Sequence, residues 1–173
     1  MNVIFIDIDG TLNGLHYIDE KHRRNDFESI NVEEDKLVTL KHICDRTNSS
    51  VVLSSTWKMS WGEEEEPQNK YLKELLELFK KYGIPFYGKT PTIEKRINEY
   101  KYISTWKEYE IKAYLDSHPE IEHFCIIDDY LDDLESFRDY VVKTEEYTKD
   151  GENEGLMPYH EEEAVRIMKR KYR

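Results

Sequence analysis

The chain has 173 residues, 38% of them hydrophobic, a formal net charge of −12 and two cysteines. That length suits one domain over residues 1–173 with a core that needs no staples, and the charge opposes broad, salt-driven nucleic-acid binding, which requires a basic face. Cys44 and Cys125 read as reduced core thiols of a cytoplasmic protein; no apolar run approaches bilayer length or follows a basic leader, so neither export nor membrane insertion is expected.

The first element is a short apolar strand, Val3 to Ile6, β-branched and aromatic enough to be buried at the centre of a sheet. Gly10 permits a sharp turn after it, and Asp7 and Asp9 stand at its carboxyl end. Ionised carboxylates at the edge of an apolar sheet are costly unless a metal, a cation or a substrate compensates them. An Asx-type turn would explain Asp9-Gly10 but not a second acid at the same strand end.

Residues 13–31 read as a polar stretch forming a short flap. Its cluster Lys21-His22-Arg23-Arg24, like Lys95-Arg96 later, reads either as a local nucleic-acid contact or as solvated surface. Lone histidines such as His16 and His22 read as surface residues. Asn31 is expected to cap a helix carrying Leu37, Leu40 and Ile43. A buried strand over 50–53 then delivers the hydroxyls of Ser54, Ser55 and Thr56. After an acidic surface run, Glu63 to Glu66, Pro67 opens a helix with Leu72, Leu75, Leu76 and Phe79 on one face, ended by Gly83.

A short strand over 84–87 and a loop-rich segment over 88–104 follow. Thr105 and Glu108 form a capping-box pattern for a helix bearing Ile111, Tyr114 and Leu115. A third apolar strand, 123–127, closes on Asp128-Asp129. A short helix near 131–138, a strand over 140–143, a loop to Pro158 and a terminal helix complete the order. Alternating β and α elements predict an α/β fold: a three-layer, Rossmann-like parallel sheet with helices on both faces and a minimal cap or none. In such a sheet the carboxyl ends of the strands share one edge, so the acids and hydroxyls should converge there. Oxygen donors of this kind suit Mg²⁺, and the absence of His/Cys ligand spacing disfavours zinc.

The run Asp7-Ile8-Asp9-Gly10-Thr11-Leu12, a hydroxyl after the second strand and a third strand ending in paired acids resemble the haloacid dehalogenase superfamily of phosphotransfer enzymes. The stretches Val52 to Lys58, Glu110-Ile111, Ile126 to Asp129 and Gly155-Leu156 are similar, more narrowly, to the small phosphatase domains of Swiss Army knife RNA-repair proteins. The resemblance implies that Asp7 is a nucleophile forming an aspartyl phosphate, and that Asp9 serves as general acid and then base. It implies Mg²⁺ as cofactor, held by Asp7, by Asp9 through its backbone carbonyl, and by Asp128 or Asp129. Ser54 would bind phosphate, with Ser55 as its understudy and Gly10 and Thr11 completing the substrate-binding set. The required cation would be Lys107, with Lys112 as competitor.

Lys58 is expected to touch a substrate phosphate or to lie along Trp57. Asp133 is expected either as an outer-shell group near the metal or as a helix cap. Short insertions leave the site open, which favours nucleotides or phosphorylated polynucleotide ends over sugar phosphates. The 13 tyrosines are too dispersed for a base-stacking platform. Two other classes remain: a receiver-like phosphate-accepting signalling module, whose acid pair would sit on the first strand and its phosphoacceptor on a middle one, and an inactive binding protein that keeps the fold.

Overall fold

Hydrophobic alternation drives the centre of the molecule: in β1 (Asn2–Ile6) Val3 and Phe5 enter one apolar cluster and Ile4 and Ile6 the opposite one. The computed structural model describes residues 1–61, 66–98, 101–104 and 106–172, with the backbone alone for 94–98 and 101–104. After β1 come α1 (Leu15–Arg23), α2 (Glu34–Thr47), β2 (Ser49–Leu53), α3 (Lys70–Tyr82), β3 (Phe86–Lys89), β4 (Glu94–Asn98) and β5 (Lys101–Ser104). The chain continues through α4 (Lys107–Ser117), β6 (His123–Asp128), β7 (Val141–Lys143) and α5 (His160–Met168), with 3-10 turns at Thr56–Ser60 and Glu135–Tyr140.

Five strands pair in the order β3-β2-β1-β6-β7, every pair parallel. Helices α2, α3 and α5 pack their apolar stripes on one face, against Ile4, Val51, Cys125 and Val142. Helix α4 and the turn at Glu135–Tyr140 cover the other face, against Phe5, Val52, Phe124 and Ile126. The fold is therefore the expected three-layer α/β sheet. Among the described residues no helix is long and apolar enough to cross a membrane.

Local details depart from the sequence reading where long-range partners replace local signals. The stretch 13–31 contains helix α1, because the carboxylate of Glu154 accepts the His16 N–H at 3.0 Å and so satisfies a helix start from 138 residues away. Helix α2 begins after Glu33 and not at Asn31, whose carbonyl instead accepts Asn13 Nδ2 at 2.7 Å. Helix α3 begins after Asn69, whose Oδ1 accepts the N–H groups of Tyr71 and Leu72, and Pro67 lies outside it. Within 88–104, β4 and β5 form a separate antiparallel ribbon; the sequence there lacks the apolar alternation that marks a half-buried strand. Thr105 lies outside the described residues. Trp106 occupies the cap position of α4, and the Glu108 carboxylate accepts the Ser136 N–H at 2.9 Å.

Phe124 is fully buried, with ring centroids 5.7 Å from Phe5, 4.5 Å from Tyr140 and 5.0 Å from Tyr172. Phe124→Ala should lower the free energy of urea unfolding by about 3–5 kcal/mol; a loss under about 1 kcal/mol would mean that this face is not the packed layer described. His160 is buried and its Nδ1 accepts the Met157 N–H at 2.9 Å, which requires the neutral ring. Burial pushes its pKa below the ordinary 6.5. The unfolded chain therefore binds the proton more readily, so this contribution to stability is present above pH 6.5 and is lost as pH falls through the folded value. Melting temperature should fall from pH 7 to 5 less steeply in His160→Gln than in the native chain.

Candidate active site

Strand register brings the polar groups together. Ile6 stands opposite Leu53 in β2 and Ile127 in β6, so the next residues, Asp7, Ser54 and Asp128, stand side by side at one edge of the sheet. The pairing persists at the exit, where Asp7 N–H donates to the Ile127 carbonyl at 3.1 Å and Ser54 N–H to that of Ile6 at 2.9 Å. Strand order also reverses at β1, with β2 and β3 on one side and β6 and β7 on the other. Ligand crevices form at such reversals.

Lys107 enters from the first turn of α4. Its Nζ lies 3.1 Å from Asp7 Oδ2 and 2.5 Å from Asp128 Oδ2, with the lysine side chain 12% exposed. Burial opposes the ammonium, but the charges of Asp7 and Asp128 outweigh it and raise the Lys107 pKa. Lys112, the alternative cation, is exposed and pairs with Asp116 at 2.7 Å. Five residues along the helix place it about 140° round from Lys107.

Asp7, Asp128 and Asp129 each offer a carboxylate oxygen within 4.8 Å of the others. Burial, followed by repulsion from Asp7, pushes the Asp129 carboxyl up to about 6. Asp128 is raised to about 7 chiefly by burial, which Lys107 only partly offsets. Three close carboxylates facing one ammonium leave negative charge that is costly to bury, and an all-oxygen donor set fits a hard divalent cation. Gly10 makes this proximity possible. It holds φ +73°, and a Cβ there would lie 2.5 Å from Asp129 Cγ.

The Asp9 side chain stands apart from the acid cluster. Its Oδ2 accepts Trp57 Nε1–H at 2.9 Å and its Oδ1 accepts Asn13 Nδ2 at 3.1 Å. Ser54 is buried at the strand tip, its hydroxyl donating to the Ile6 carbonyl at 3.3 Å. Lys58 is not a surface lysine: it is buried and its Nζ meets Glu110 Oε2 at 2.6 Å. Burial lowers its pKa against the pull of Glu110. Ser54, Lys58 and Lys107 line one cavity of about 260 Å³.

Three members of the expected substrate-binding set are engaged elsewhere. Gly10 N–H donates to Asn13 Oδ1 at 2.9 Å; Thr11 is fully buried with its hydroxyl 3.1 Å from that of Thr144; and Ser55 Oγ accepts the Trp57 N–H, capping the 3-10 turn. They shape the turns that carry Asp7 and Ser54. Asp133 acts as a helix cap, its Oδ2 accepting the Lys107 N–H at 3.4 Å, while its buried Oδ1 has no partner among the described residues. The basic cluster at 21–24 disperses: Lys21 Nζ donates to the carbonyls of Ser29 and Ile30, and Arg24 pairs with Glu20. The side chains of Lys95 and Arg96 lie outside the described residues. Sequence reasoning missed Asn13, Trp57 and Glu110 as supports. Asn13 carried a signal, an amide three residues past a glycine turn; Glu110 finds Lys58 only through the fold, across 52 residues.

An acidic cluster with a buried lysine at the reversal point of a parallel sheet is the architecture of a haloacid-dehalogenase-type hydrolase. A model of the family described as the HAD domain in Swiss Army Knife RNA repair proteins matches residues 3–149, and the chain belongs to that family. A search of curated proteins found no match.

Adding millimolar Mg²⁺ should raise the melting temperature of the native chain, since a ligand that binds only the folded state stabilises it. Asp129→Asn should shrink that rise. An equal rise in both would place the cation elsewhere.

Proposed function

We propose that the chain is a Mg²⁺-dependent phosphoric monoester hydrolase working through an aspartyl phosphate, on nucleotides or polynucleotide ends. The observation that carries this reading is Lys107 Nζ seated between Asp7 and Asp128 at 3.1 and 2.5 Å, with Asp129 beside them. Asp7, Asp128 and Asp129, together with the Asp9 backbone carbonyl, would hold Mg²⁺. When bound, the ion would offset the repulsion between the acid cluster and an anionic phosphate.

Lys107 fixes Asp7 Oδ2 and leaves Oδ1 to attack phosphorus. A bond forms between Oδ1 and phosphorus as the bond from phosphorus to the leaving oxygen breaks, and that oxygen takes a proton from Asp9. Water then attacks the same phosphorus, returns a proton to Asp9 and releases phosphate and the Asp7 carboxylate. Trp57 and Asn13 hold the Asp9 carboxylate in one orientation through both steps. Lys58 and Lys107 supply donors to the phosphate oxygens, and the Ser54 hydroxyl joins them by turning from the Ile6 carbonyl. Glu110 holds Lys58 in place and opposes the loss of charge that its burial favours.

Family membership favours turnover over the receiver-like and inactive readings. The buried free thiols of Cys44 and Cys125 support a cytoplasmic setting, and one catalytic domain with α1 and its following loop as a short flap fits the sequence. Phosphate release from p-nitrophenyl phosphate with Mg²⁺ tests the mechanism. Asp7→Asn should fall to background, Lys107→Met should lose about 10²–10³-fold in kcat, and Lys112→Met should stay within about twofold of native. Turnover retained in Asp7→Asn would exclude the covalent route.

A further inference from the structure

Asp9 and Trp57 also form part of the lining of a second cavity, about 590 Å³, between the loop that follows α1 and the start of α3. Its volume lies within the ~300–1,000 Å³ typical of small-molecule sites. Thr56 lines both this cavity and the one holding Ser54, Lys58 and Lys107. The two spaces thus adjoin, with the proton donor of the proposed reaction in the larger one. A phosphate held by the lysines would direct its leaving group there.

The walls say what that group is. Phe27 and Tyr71 line the cavity and are 60% and 40% exposed, an arrangement that leaves two aromatic rings uncovered beside a site. The His22 ring lies 5.4 Å from that of Phe27, extending the aromatic wall. The rings are held in place: Tyr71 Oη donates to the Phe27 carbonyl at 3.3 Å, and Lys70 Nζ to that of Glu28 at 3.3 Å, tying the loop to α3. Asn31 and Ser60 add polar edges to the lining. Flat apolar rings with a few polar groups suit a heterocyclic base, whose face stacks on any aromatic ring.

Charge narrows the choice further. Among the described residues the lining contains the carboxylates of Asp9 and Asp26 and no lysine or arginine. Asp26 is kept ionised by the Ser29 hydroxyl, which donates to it at 2.6 Å. Strand backbones are held by Lys and Arg on their phosphates. A cavity with these acids disfavours a leaving group that carries further phosphates.

We propose that this cavity binds the nucleoside of a nucleoside monophosphate, with the base against Phe27 and Tyr71 and the ester oxygen toward Asp9. The substrate is then a mononucleotide and not a strand end. This deepens the phosphatase reading and rests on it. The nucleoside leaves with the proton from Asp9 as a free hydroxyl, and phosphate leaves by hydrolysis of the aspartyl phosphate.

The test compares kcat/KM for nucleoside 5′- and 3′-monophosphates with that for ribose 5-phosphate, which lacks only the base of the 5′ ester, and for a 5′-phosphorylated oligonucleotide. The native chain should favour a mononucleotide over ribose 5-phosphate by about tenfold or more, the range a stacked base supplies. In Phe27→Ala and Tyr71→Ala that ratio, taken within each variant, should fall toward one through KM; both rings are exposed, so their truncation spares the core. A native ratio near one, a ratio that neither variant moves, or an oligonucleotide favoured tenfold over the mononucleotide would overturn the assignment. Failure of the phosphatase reading looks different, since release from every ester would then be independent of Asp7. In that event calorimetry of nucleoside monophosphate binding to the native chain decides the cavity: binding weakened in Phe27→Ala supports it, and binding that is absent or unaltered overturns it.

Discussion

Parallel pairing of β1 with β2 and β6 is the constraint on which the site depends. Ile6, Leu53 and Ile127 are register partners, so the residues that follow them must emerge together at one edge. A slip of one residue would turn every side chain of β1 to the opposite face and bury Asp7 within the helix layer. Apolar packing on both faces prevents that slip, because Val3 and Phe5 belong to one cluster and Ile4 and Ile6 to the other. Core packing and catalytic geometry are thus set by the same alternation.

Once the acids converge, their charge must be met. Lys107 bridges Asp7 and Asp128, while burial, with repulsion from Asp7 behind it, raises the carboxyls of Asp128 and Asp129. The cluster's all-oxygen donor set fits a hard divalent cation. Around it, small residues serve geometry. Gly10 leaves room for Asp129, Thr11 binds the turn to Thr144 beyond β7, and Ser55 caps the turn after Ser54. These positions belong to the motif because they aim its acids, whether or not they touch substrate.

Much of this was legible in the sequence, for a physical reason. The strands at Val3, Val51 and Phe124 are short, apolar and buried on both faces, and each ends abruptly in acids or hydroxyls, so fold class and the acid cluster follow from local pattern. Lys107 was legible through its place in the resemblance and its position ahead of Glu110. What could not be read were the long-range partners. Helix α1 takes its cap from Glu154, Lys58 its counter-charge from Glu110, and Asp9 its orientation from Trp57, contacts that exist only after folding. The bond from Tyr71 Oη to the Phe27 carbonyl, across 44 residues, likewise exists only after folding.

The central claim is that a carboxylate oxygen of Asp7 becomes bonded to phosphorus. Acid quenching during turnover, reduction of acyl phosphate by borohydride and peptide mass spectrometry test it directly. The covalent mechanism predicts homoserine at position 7 and an unaltered Asp9. An unmodified Asp7 under steady turnover, or reduction at another carboxylate, would contradict it.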